Sequence, residues 1–299
     1  MLESEFGPIG PFQNSRKNPM RTSTPFGSAL SAGAILTLFA GCAGAGSGGG
    51  SSAFAPLAQT ATAQHQSVVS LGLQSCPIYN ANRLYVALRT SDTFAVLGAS
   101  TVTSAGLTVL NGDLGLSPGT SITGFPPGIV NGNIDAGTPV AAQAQMDMAK
   151  AYNHIVAMKN PTLLPADIGG KTIVPGLYSA PVSLGITGTV TLDGQNHPNS
   201  FFVFQIPSTL TTSVDSSVTL TNKANACNIF WQVGSSATLD TASVFNGTIL
   251  AAASISVGTG SAVTGRLMAG SGAVTLLDDA VSTPQGNEGS PTHRSGLKH

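Results

Sequence analysis

A short internal repeat in the second half of the chain constrains the fold more than any other feature. Three-residue units, each with a hydroxyl residue between two aliphatic ones, recur there, and the last four lie 19, 18 and 19 residues apart. This period is too short for a helical hairpin or a propeller blade. It fits one turn of a β-solenoid with three short strands and three corners. The units are Val190-Thr191-Leu192, Val218-Thr219-Leu220, Ala237-Thr238-Leu239, Ile255-Ser256-Val257 and Val274-Thr275-Leu276.

A second unit, richer in aromatic and aliphatic residues, runs in phase with the first. Two independent units that keep one period predict that successive turns stack in register. The members are Phe202-Val203-Phe204-Gln205-Ile206, Ile229-Phe230-Trp231-Gln232-Val233, Gly247-Thr248-Ile249-Leu250-Ala251 and Gly265-Arg266-Leu267-Met268-Ala269.

Alternation within the first unit predicts which side chains point inward. Neighbouring residues of a strand face opposite sides, and stacked turns lie about 4.8 Å apart. We therefore expect a rigid column of outward hydroxyl side chains over a column of inward aliphatic ones. The outward column is Thr191, Thr219, Thr238, Ser256 and Thr275, and the inward column is Leu192, Leu220, Leu239, Val257 and Leu276.

One segment has helical periodicity. Thr138 and Pro139 suit an N-cap and a first helical position, and Asn160-Pro161 ends the pattern. A helix of about 21 residues would be roughly 31 Å long, so it is expected to lie along one side of the solenoid and cover its core. Its apolar face is predicted to be Ala141, Ala144, Met148, Tyr152, Ile155 and Met158.

The low charge of the chain excludes nucleic-acid binding and disorder. Only 8% of the residues are charged, and residues 91–284 carry five basic side chains against ten Asp. A nucleic-acid partner requires a dense basic surface. A disordered chain combines low hydrophobicity with high charge, whereas 41% of this chain is hydrophobic.

The residues that could support catalysis are scattered. No nucleophile and base occur at a plausible spacing, and the five His lie far apart. We interpret Asp278-Asp279 as a charged cap at the end of the last turn that blocks edge pairing, and not as paired catalytic carboxylates. Asp193 and Asp240 are interpreted as turn residues and not as Ca²⁺ ligands. We therefore expect no enzyme, cofactor or metal site.

The first 42 residues have the pattern of an export signal. A basic stretch at residues 16–21 precedes a short apolar run at residues 28–41, and Met20 is the expected true start. The residues that lead to Cys42 resemble a bacterial lipobox, so Cys42 is predicted to be lipidated. Ordinary signal cleavage a few residues later is the alternative.

The other segments outside the solenoid differ in composition. Residues 43–53 are predicted to be a Gly/Ser tether, residues 54–90 an N-terminal extension, residues 91–284 the solenoid domain and residues 285–299 a disordered tail. We expect an exported protein, held at a membrane only through the lipid anchor or else secreted.

Cys76 and Cys227 would be the two remaining thiols after lipidation of Cys42. In an oxidising compartment they could form a disulfide, which needs Cα atoms within about 7 Å. Two separate thiols are the alternative, because Cys227 has apolar neighbours that fit a core position.

Several segments resemble the DUF3494 family of ice-binding proteins, over about 190 residues in unbroken order. The resemblance implies an all-β fold with one helix. This fold is a discontinuous right-handed β-solenoid of triangular section with a long α-helix packed alongside, in which an N-terminal segment completes turns at one end. It also implies a monomer that adsorbs to ice crystals and inhibits ice growth and recrystallisation. The segments are residues 93–137, the helix, Pro175-Gly176-Leu177-Tyr178, residues 201–212 and residues 226–238 through Gly265-Arg266.

Adsorption to a crystal suits a flat, weakly charged solenoid face, because many weak contacts must be made together. Thr fits this role, since β-branching restricts its rotamer and its hydroxyl anchors ordered water.

The resemblance also implies candidate residues. Members of the family often carry Thr-Ala/Gly-X-Thr/Asn on the ice-binding face, and residues 241–244 and 259–262 match its first two positions. The fourth position departs, which favours moderate activity. Residues 120–124 are expected on the same side, with Ser243 and Ser261 as an adjacent outward rank. The predicted ice-binding residues are Thr120, Thr209, Thr211, Thr241, Ala242, Ser243, Thr259, Gly260 and Ser261, and the column from Thr191 to Thr275 is the competing face.

A cell-surface adhesin or structural solenoid that binds a polymer or another cell is the alternative function. Carbohydrate-binding surfaces expose aromatic rings for stacking on sugars. The chain has one Trp and four Tyr, which favours ice.

Replacing Cys42 tests the predicted anchor. If Cys42 is lipidated, Cys42→Ala moves the protein from the membrane fraction to the periplasm or medium, because acyl chains hold it through about 0.8 kcal/mol per buried CH₂. Cell fractionation and immunoblotting measure the distribution. Tight membrane association of the variant would mean that another element anchors the protein.

Overall fold

A computed structural model of the chain describes Cys76 and residues 86–285. The predicted signal segment with Met20 and Cys42, the tether, most of the extension and nearly all of the tail lie outside these residues. Among the residues described, none of the helices has the length and apolar character needed to cross a membrane.

Short strands and one long helix build this part of the chain. A first group of strands precedes the helix and a second group follows it. The first group is β1 Phe94–Gly98, β2 Thr101–Ala105, β3 Val109–Asn111, β4 Asp113–Leu116, β5 Ser121–Thr123, β6 Ile129–Asn131 and β7 Ile134–Ala136, followed by α1 Pro139–Ala157. The second group is β8 Thr162–Leu163, β9 Thr172–Ile173, β10 Gly176–Ser179, β11 Leu184–Ile186, β12 Thr189–Asp193, β13 Phe202–Ile206, β14 Leu210–Thr212, β15 Ser217–Thr221, β16 Ile229–Val233, β17 Ala237–Leu239, β18 Val244–Ala251, β19 Ile255–Val257, β20 Ala262–Ala269, β21 Val274–Leu277 and β22 Ala280–Ser282. Two short 3₁₀ helices, Arg89–Thr93 and Ala226–Asn228, complete it.

The strands stack in parallel into three faces, so the chain forms the discontinuous right-handed β-solenoid of triangular section that the sequence predicts. The seven-stranded face has the order β11-β14-β17-β19-β21-β2-β5. The helix-covered face contains β8, β10, β13, β16, the second halves of β18 and β20, and β1, β4 and β7. The third face contains β9, β12, β15, the first halves of β18 and β20, and β22, β3 and β6.

The stack is discontinuous because the N-terminal turns lie beyond the last C-terminal turn. β2 pairs with β21, β1 with β20, and β3 with β22. The expected completion of one end by the segment before the helix is confirmed.

Glycine lets β18 and β20 continue around the corner between the third face and the helix-covered face. Gly247, with φ of 111°, pairs with Gly265. A Cβ on Gly265 would overlap the carbonyl oxygen of Gly247, so side chains are excluded where these two strands bend together.

The helix α1 covers one face, as predicted. Thr138 caps it by accepting a hydrogen bond from the backbone N–H of Ala141. At its surface, Asp147 accepts hydrogen bonds from Thr90 and Lys150, and the Lys150 ammonium holds the pKa of Asp147 well below its usual range. The predicted apolar stripe packs with outward residues of the sheet, among them Leu97, Val203, Phe230, Leu250 and Met268.

The inward column is confirmed for four of its five members. Leu192, Leu239, Val257 and Leu276 are buried, whereas Leu220 is only partly buried. Rings from successive turns also stack in the core. The Tyr178 and Phe204 centroids are 5.6 Å apart, and those of Phe204 and Trp231 are 3.9 Å apart.

The prediction of a single outward column is wrong. Thr191 and Thr219 pair on the third face, whereas Thr238 pairs with Thr211 on the seven-stranded face. Thr238 follows Thr219 by 19 residues but follows its true neighbour Thr211 by 27. Loops lengthen the early turns, so the shorter spacing joins two different faces.

A disulfide joins Cys76 to Cys227 across 151 residues, with Cα atoms 5.3 Å apart. It lies against Arg266, whose guanidinium is 3.6 Å from the Cys76 sulfur and forms an ion pair with Asp92 at 2.6 Å. The disulfide therefore attaches the N-terminal extension to the solenoid beside a buried ion pair.

Leu239→Asp tests the inward assignment. Its side chain is fully buried, so a carboxylate there costs several kcal/mol out of a typical stability of about 5–15 kcal/mol. We expect thermal melts to show an unfolded or strongly destabilised protein. The matched variant Thr238→Asp, on the exposed neighbour, should melt close to wild type, and equal melting of both variants would contradict the assignment.

Candidate functional site

The seven-stranded face presents one outward residue per strand in an unbroken register. These residues form the central rank, and all but one carry a hydroxyl group. Five of the seven are exposed and the other two are half-buried. The central rank is Gly185, Thr211, Thr238, Ser256, Thr275, Thr103 and Thr123.

Two further ranks flank the central rank. The residues two positions earlier form the first flanking rank, in which the Thr209 hydroxyl donates to Ser183 at 2.9 Å. Together the three ranks make a surface dominated by hydroxyl and small side chains. The first flanking rank is Ser183, Thr209, Ser236, Ser254, Ala273, Thr101 and Ser121, and the second is Thr187, Ser213, Asp240, Gly258, Leu277 and Ala105.

The central rank has no charged side chain, and the acidic groups nearby lie at the margins. Asp167 sits at one end of the sheet, where it accepts hydrogen bonds from Thr187 and from the backbone of Gly169. The Thr187 hydroxyl lowers the pKa of Asp167. Asp240 accepts from the backbone N–H of Thr241 at 2.8 Å. Both carboxylates are thus engaged by the protein.

The predicted ice-binding residues fall into different places. Thr211 lies in the central rank and Thr209 in the first flanking rank. Thr241 and Thr259 are exposed, but they lie at the corner after β17 and β19. Ala242 and Gly260 follow them with φ of 56° and 75°. This left-handed conformation turns the chain from the seven-stranded face towards the third face.

The expectation that Ser243 and Ser261 form an outward rank is wrong. Each is 1% exposed, because the left-handed corner residue before it resets the alternation and turns the side chain inward. Ser261 donates to the Gly258 carbonyl at 2.7 Å. A bulky residue at position 261 would disturb the interior and would not test a surface.

The expected correspondence between Thr120-Gly124 and Ser261-Gly265 is also wrong. Ser121 and Thr123 belong to β5 on the seven-stranded face, whereas Ala262 and Thr264 belong to β20 on the third face. Thr120 is exposed immediately before β5, so it borders the seven-stranded face.

A buried polar ladder runs under the corner between the seven-stranded face and the third face. Its hydrogen bonds connect successive turns, for example Thr212 with Ser243 at 2.9 Å, and the Ser243 N–H with Ser261 Oγ at 3.2 Å. The ladder supplies partners to backbone groups that the corner removes from strand pairing. Its members are Thr212, Ser216, Ser243, Ser261, Asp279, Thr108 and Ser104.

The interpretation of Asp278-Asp279 as an end cap is wrong, because the N-terminal turns continue the stack beyond it. Asp279 is 2% exposed and accepts hydrogen bonds from the backbone N–H groups of Ser261 and Leu277. Burial raises the pKa of Asp279 to about 6. Asp278 lies at the surface and accepts from the N–H of Leu107.

The third face also carries an outward polar rank, but its register is interrupted. β15 and β18 pair only through Ser217 and Val244, and the Asn246 amide donates instead to the Val218 carbonyl at 2.8 Å. The residues are Thr172, Thr191, Thr219, Asn246, Thr264, Ser282, Asn111 and Asn131.

The sequence analysis missed three central members of the seven-stranded face. Thr101, Thr103 and Thr123 lie in the N-terminal turns, outside the repeat. The alternation in Thr101-Val102-Thr103 and Ser121-Ile122-Thr123 was the available signal. Within the described part of the chain, no three His, Cys, Asp or Glu side chains cluster closely enough to hold a metal ion.

The comparison with protein families decides the relationship of the chain. The family described as ice-binding-like matches residues 96–282. The chain belongs to the ice-binding-like family. The matched region holds α1 and every strand of the seven-stranded face, whereas Cys76 precedes it.

Similar proteins agree with this membership. An ice-binding protein of Nostoc sp. (strain HG1) is 50% identical over 197 residues, which cover 65% of this chain and 73% of that protein. The crystal structure of an ice-binding protein from the Antarctic ascomycete Antarctomyces psychrotrophicus has a TM-score of 0.64 and 41% identity, covering 66% of this chain and 97% of that chain. For an ice binding protein from an Antarctic biological consortium, the TM-score is 0.66 with 42% identity, covering 71% and 96%.

The buried Asp279 of this ice-binding-like chain predicts a pH dependence of stability. Because its pKa rises from 3.8 to about 6 on folding, the folded state holds the proton more tightly than the unfolded state. Stability present at pH 4 is therefore lost as the pH rises through 6, by up to about 3 kcal/mol. Denaturant unfolding at pH 4 and pH 7 measures the difference.

Two variants isolate this effect. Asp279→Asn should abolish the pH dependence between pH 4 and 7, whereas Asp278→Asn, at the exposed neighbour, should keep most of it. An unchanged slope in Asp279→Asn would assign the titration to another group.

Proposed function

We propose that the seven-stranded face adsorbs to ice crystals and thereby inhibits ice growth and recrystallisation. The observation that carries the proposal is the central rank of seven residues, aligned strand by strand without a break and without a charge. The family membership and the names of the similar proteins support the same ligand.

The chemistry of the central rank suits a crystalline partner. Successive strands place hydroxyl groups about 4.8 Å apart along the rank, and β-branching restricts the Thr rotamers. Each hydroxyl can anchor one ordered water, and each Thr methyl limits irregular hydration. A single such contact is weak, so affinity comes from engaging many of them at once on a rigid surface.

The other two faces are less suitable. α1 covers one face. On the third face the pairing is reduced between β15 and β18, and several amides are occupied by the protein. Asn111 donates to Ser282 at 2.9 Å, and Asn131 donates to Asn111 at 2.8 Å. These bonds leave fewer groups there to organise water.

The corner threonines Thr241 and Thr259 extend the proposed surface at one margin, and Thr209 extends it at the other. Val244 and Ala262, which depart from the family pattern at its fourth position, begin β18 and β20 on the third face. We keep moderate activity as the prediction, since Asp240 and Leu277 interrupt the second flanking rank.

Ice forms outside the cell, so the proposed function requires export. The Cys76–Cys227 disulfide supports an oxidising compartment. We propose a monomer that is exported and, through lipidated Cys42, held at the outer surface or in the periplasm; cleavage without lipidation would give a secreted protein.

A polymer-binding adhesin is less compatible with the surface. Trp231 is fully buried, and none of the aromatic side chains among the described residues is exposed. Stacking on sugar rings needs such exposed rings. We also propose no catalytic role, because the surface offers repeated hydroxyl groups rather than paired reactive groups.

Thr238→Tyr tests the proposed face. A bulky ring in the middle of the central rank holds neighbouring contacts away from the crystal, so at least about tenfold more protein should be needed to stop recrystallisation, equivalent to about 1.4 kcal/mol. Thr219→Tyr is the matched control, since Thr219 is also an exposed mid-strand Thr, but on the third face. Both variants should melt within about 1 kcal/mol of wild type.

A recrystallisation assay and thermal melts, run on the same samples, separate the outcomes. Full activity in Thr238→Tyr with loss of activity in a folded Thr219→Tyr would transfer the binding surface to the third face. Freely growing round ice crystals in concentrated wild-type protein would reject ice binding altogether.

A further inference from the structure

One end of the solenoid has strand edges that no described strand covers. β5, β6 and β7 are the last strands of the three faces, and each pairs with a described strand on one side only. We call this the open end. Unpaired edges of this kind are templates for an additional strand.

The core at the open end is also incompletely covered. Ile134 in β7 is 51% exposed, although it pairs with Leu114, which is fully buried one turn below. Ile122 and Val130, the inward residues of β5 and β6, are only partly buried. Apolar side chains therefore continue to the open end without the cover that every inner turn receives.

The opposite end differs. Its outermost strands, β8 and β9, have two residues each, and its apolar side chains Leu164, Ile168 and Ile173 are buried by their own turn. Asp167 occupies the edge there. Short strands and a charge disfavour further pairing.

A segment outside the described residues matches the open end. Val69, Leu71 and Leu73 alternate with Ser70, Gly72 and Gln74, which is the pattern of a half-buried strand. The C-terminal residues 286–299 contain one aliphatic residue, Leu297, and no such alternation. The N-terminal segment is therefore the better candidate for the cover.

The disulfide brings this segment close to the open end. The Cys76 sulfur lies 3.6 Å from the Pro284 carbonyl and 3.6 Å from the Arg266 guanidinium, which places it beside β20. From β20, an added strand beyond β7 is four pairing steps away, about 19 Å, whereas an added strand beyond β8 is six steps away, about 29 Å. Seven extended residues, the separation of Val69 from Cys76, span about 23 Å.

We infer that residues 68–74 pair as an additional parallel or antiparallel strand with the edge of β6 and β7, and that Val69, Leu71 and Leu73 cover Ile134 and the core beneath it. The disulfide then holds the added strand in place and makes the extension the cap of the solenoid. This inference does not depend on ice binding.

Hydrogen exchange of the full chain tests the cap. Leu71→Asp combined with Leu73→Asp should accelerate exchange of residues 129–136 by about tenfold or more, because the local opening is no longer opposed. Exchange of residues 162–173 at the opposite end should not change. Ser70→Asp, on the other side of the same segment, is the matched control and should leave both regions as in wild type. Acceleration at residues 162–173 alone, or at neither region, would overturn the inference.

Photo-crosslinking identifies the cover without weakening it. Benzoylphenylalanine in place of Ile134 should crosslink to a peptide from residues 67–75 in the oxidised full chain, and the same replacement of Leu163, which is 71% exposed at the opposite end, should not. Crosslinks from position 134 to residues 286–299, to a second chain, or to no peptide would each overturn the inference.

Discussion

Backbone hydrogen bonding between parallel strands of successive turns is the interaction on which the rest of the structure depends. It fixes the distance between turns and carries every side chain into register with its neighbour above and below. The same register stacks the rings of Tyr178, Phe204 and Trp231 inside and aligns Thr211 with Thr238 outside. A regular surface and a close-packed core thus follow from one repeated contact.

The corners show how a solenoid this regular accommodates polar atoms inside. At the corner beside the seven-stranded face, Ser243, Ser261 and Asp279 provide the partners that the bent backbone lacks. Burying Asp279 raises its pKa, so the corner is stabilised by a carboxyl group that favours its protonated form. The regularity of the face is therefore maintained by a polar interior at its edge.

Much of the fold could be predicted from the sequence, because periodicity reports stacking and alternation reports burial. The helix, the discontinuous solenoid and most of the inward column follow from those two patterns. The faces could not be assigned, since the same three-residue unit occurs around Thr219 on one face and Thr238 on another. Ser243 and Ser261 were misplaced because alternation holds only within a strand, and a left-handed corner residue such as Ala242 carries no distinctive sequence signal. Only Gly260 hinted at it.

The discontinuous stacking order has a consequence for synthesis of the protein. The strands β1–β7 leave the ribosome first, yet the strands against which they stack, β20–β22, are made last. Thr103 gains its neighbour Thr275 only after the rest of the solenoid exists. Long-range contacts of this kind delay folding. The early turns must remain unpaired and soluble throughout translation, so their few charges and Pro126-Pro127 protect a nascent chain as well as a finished surface.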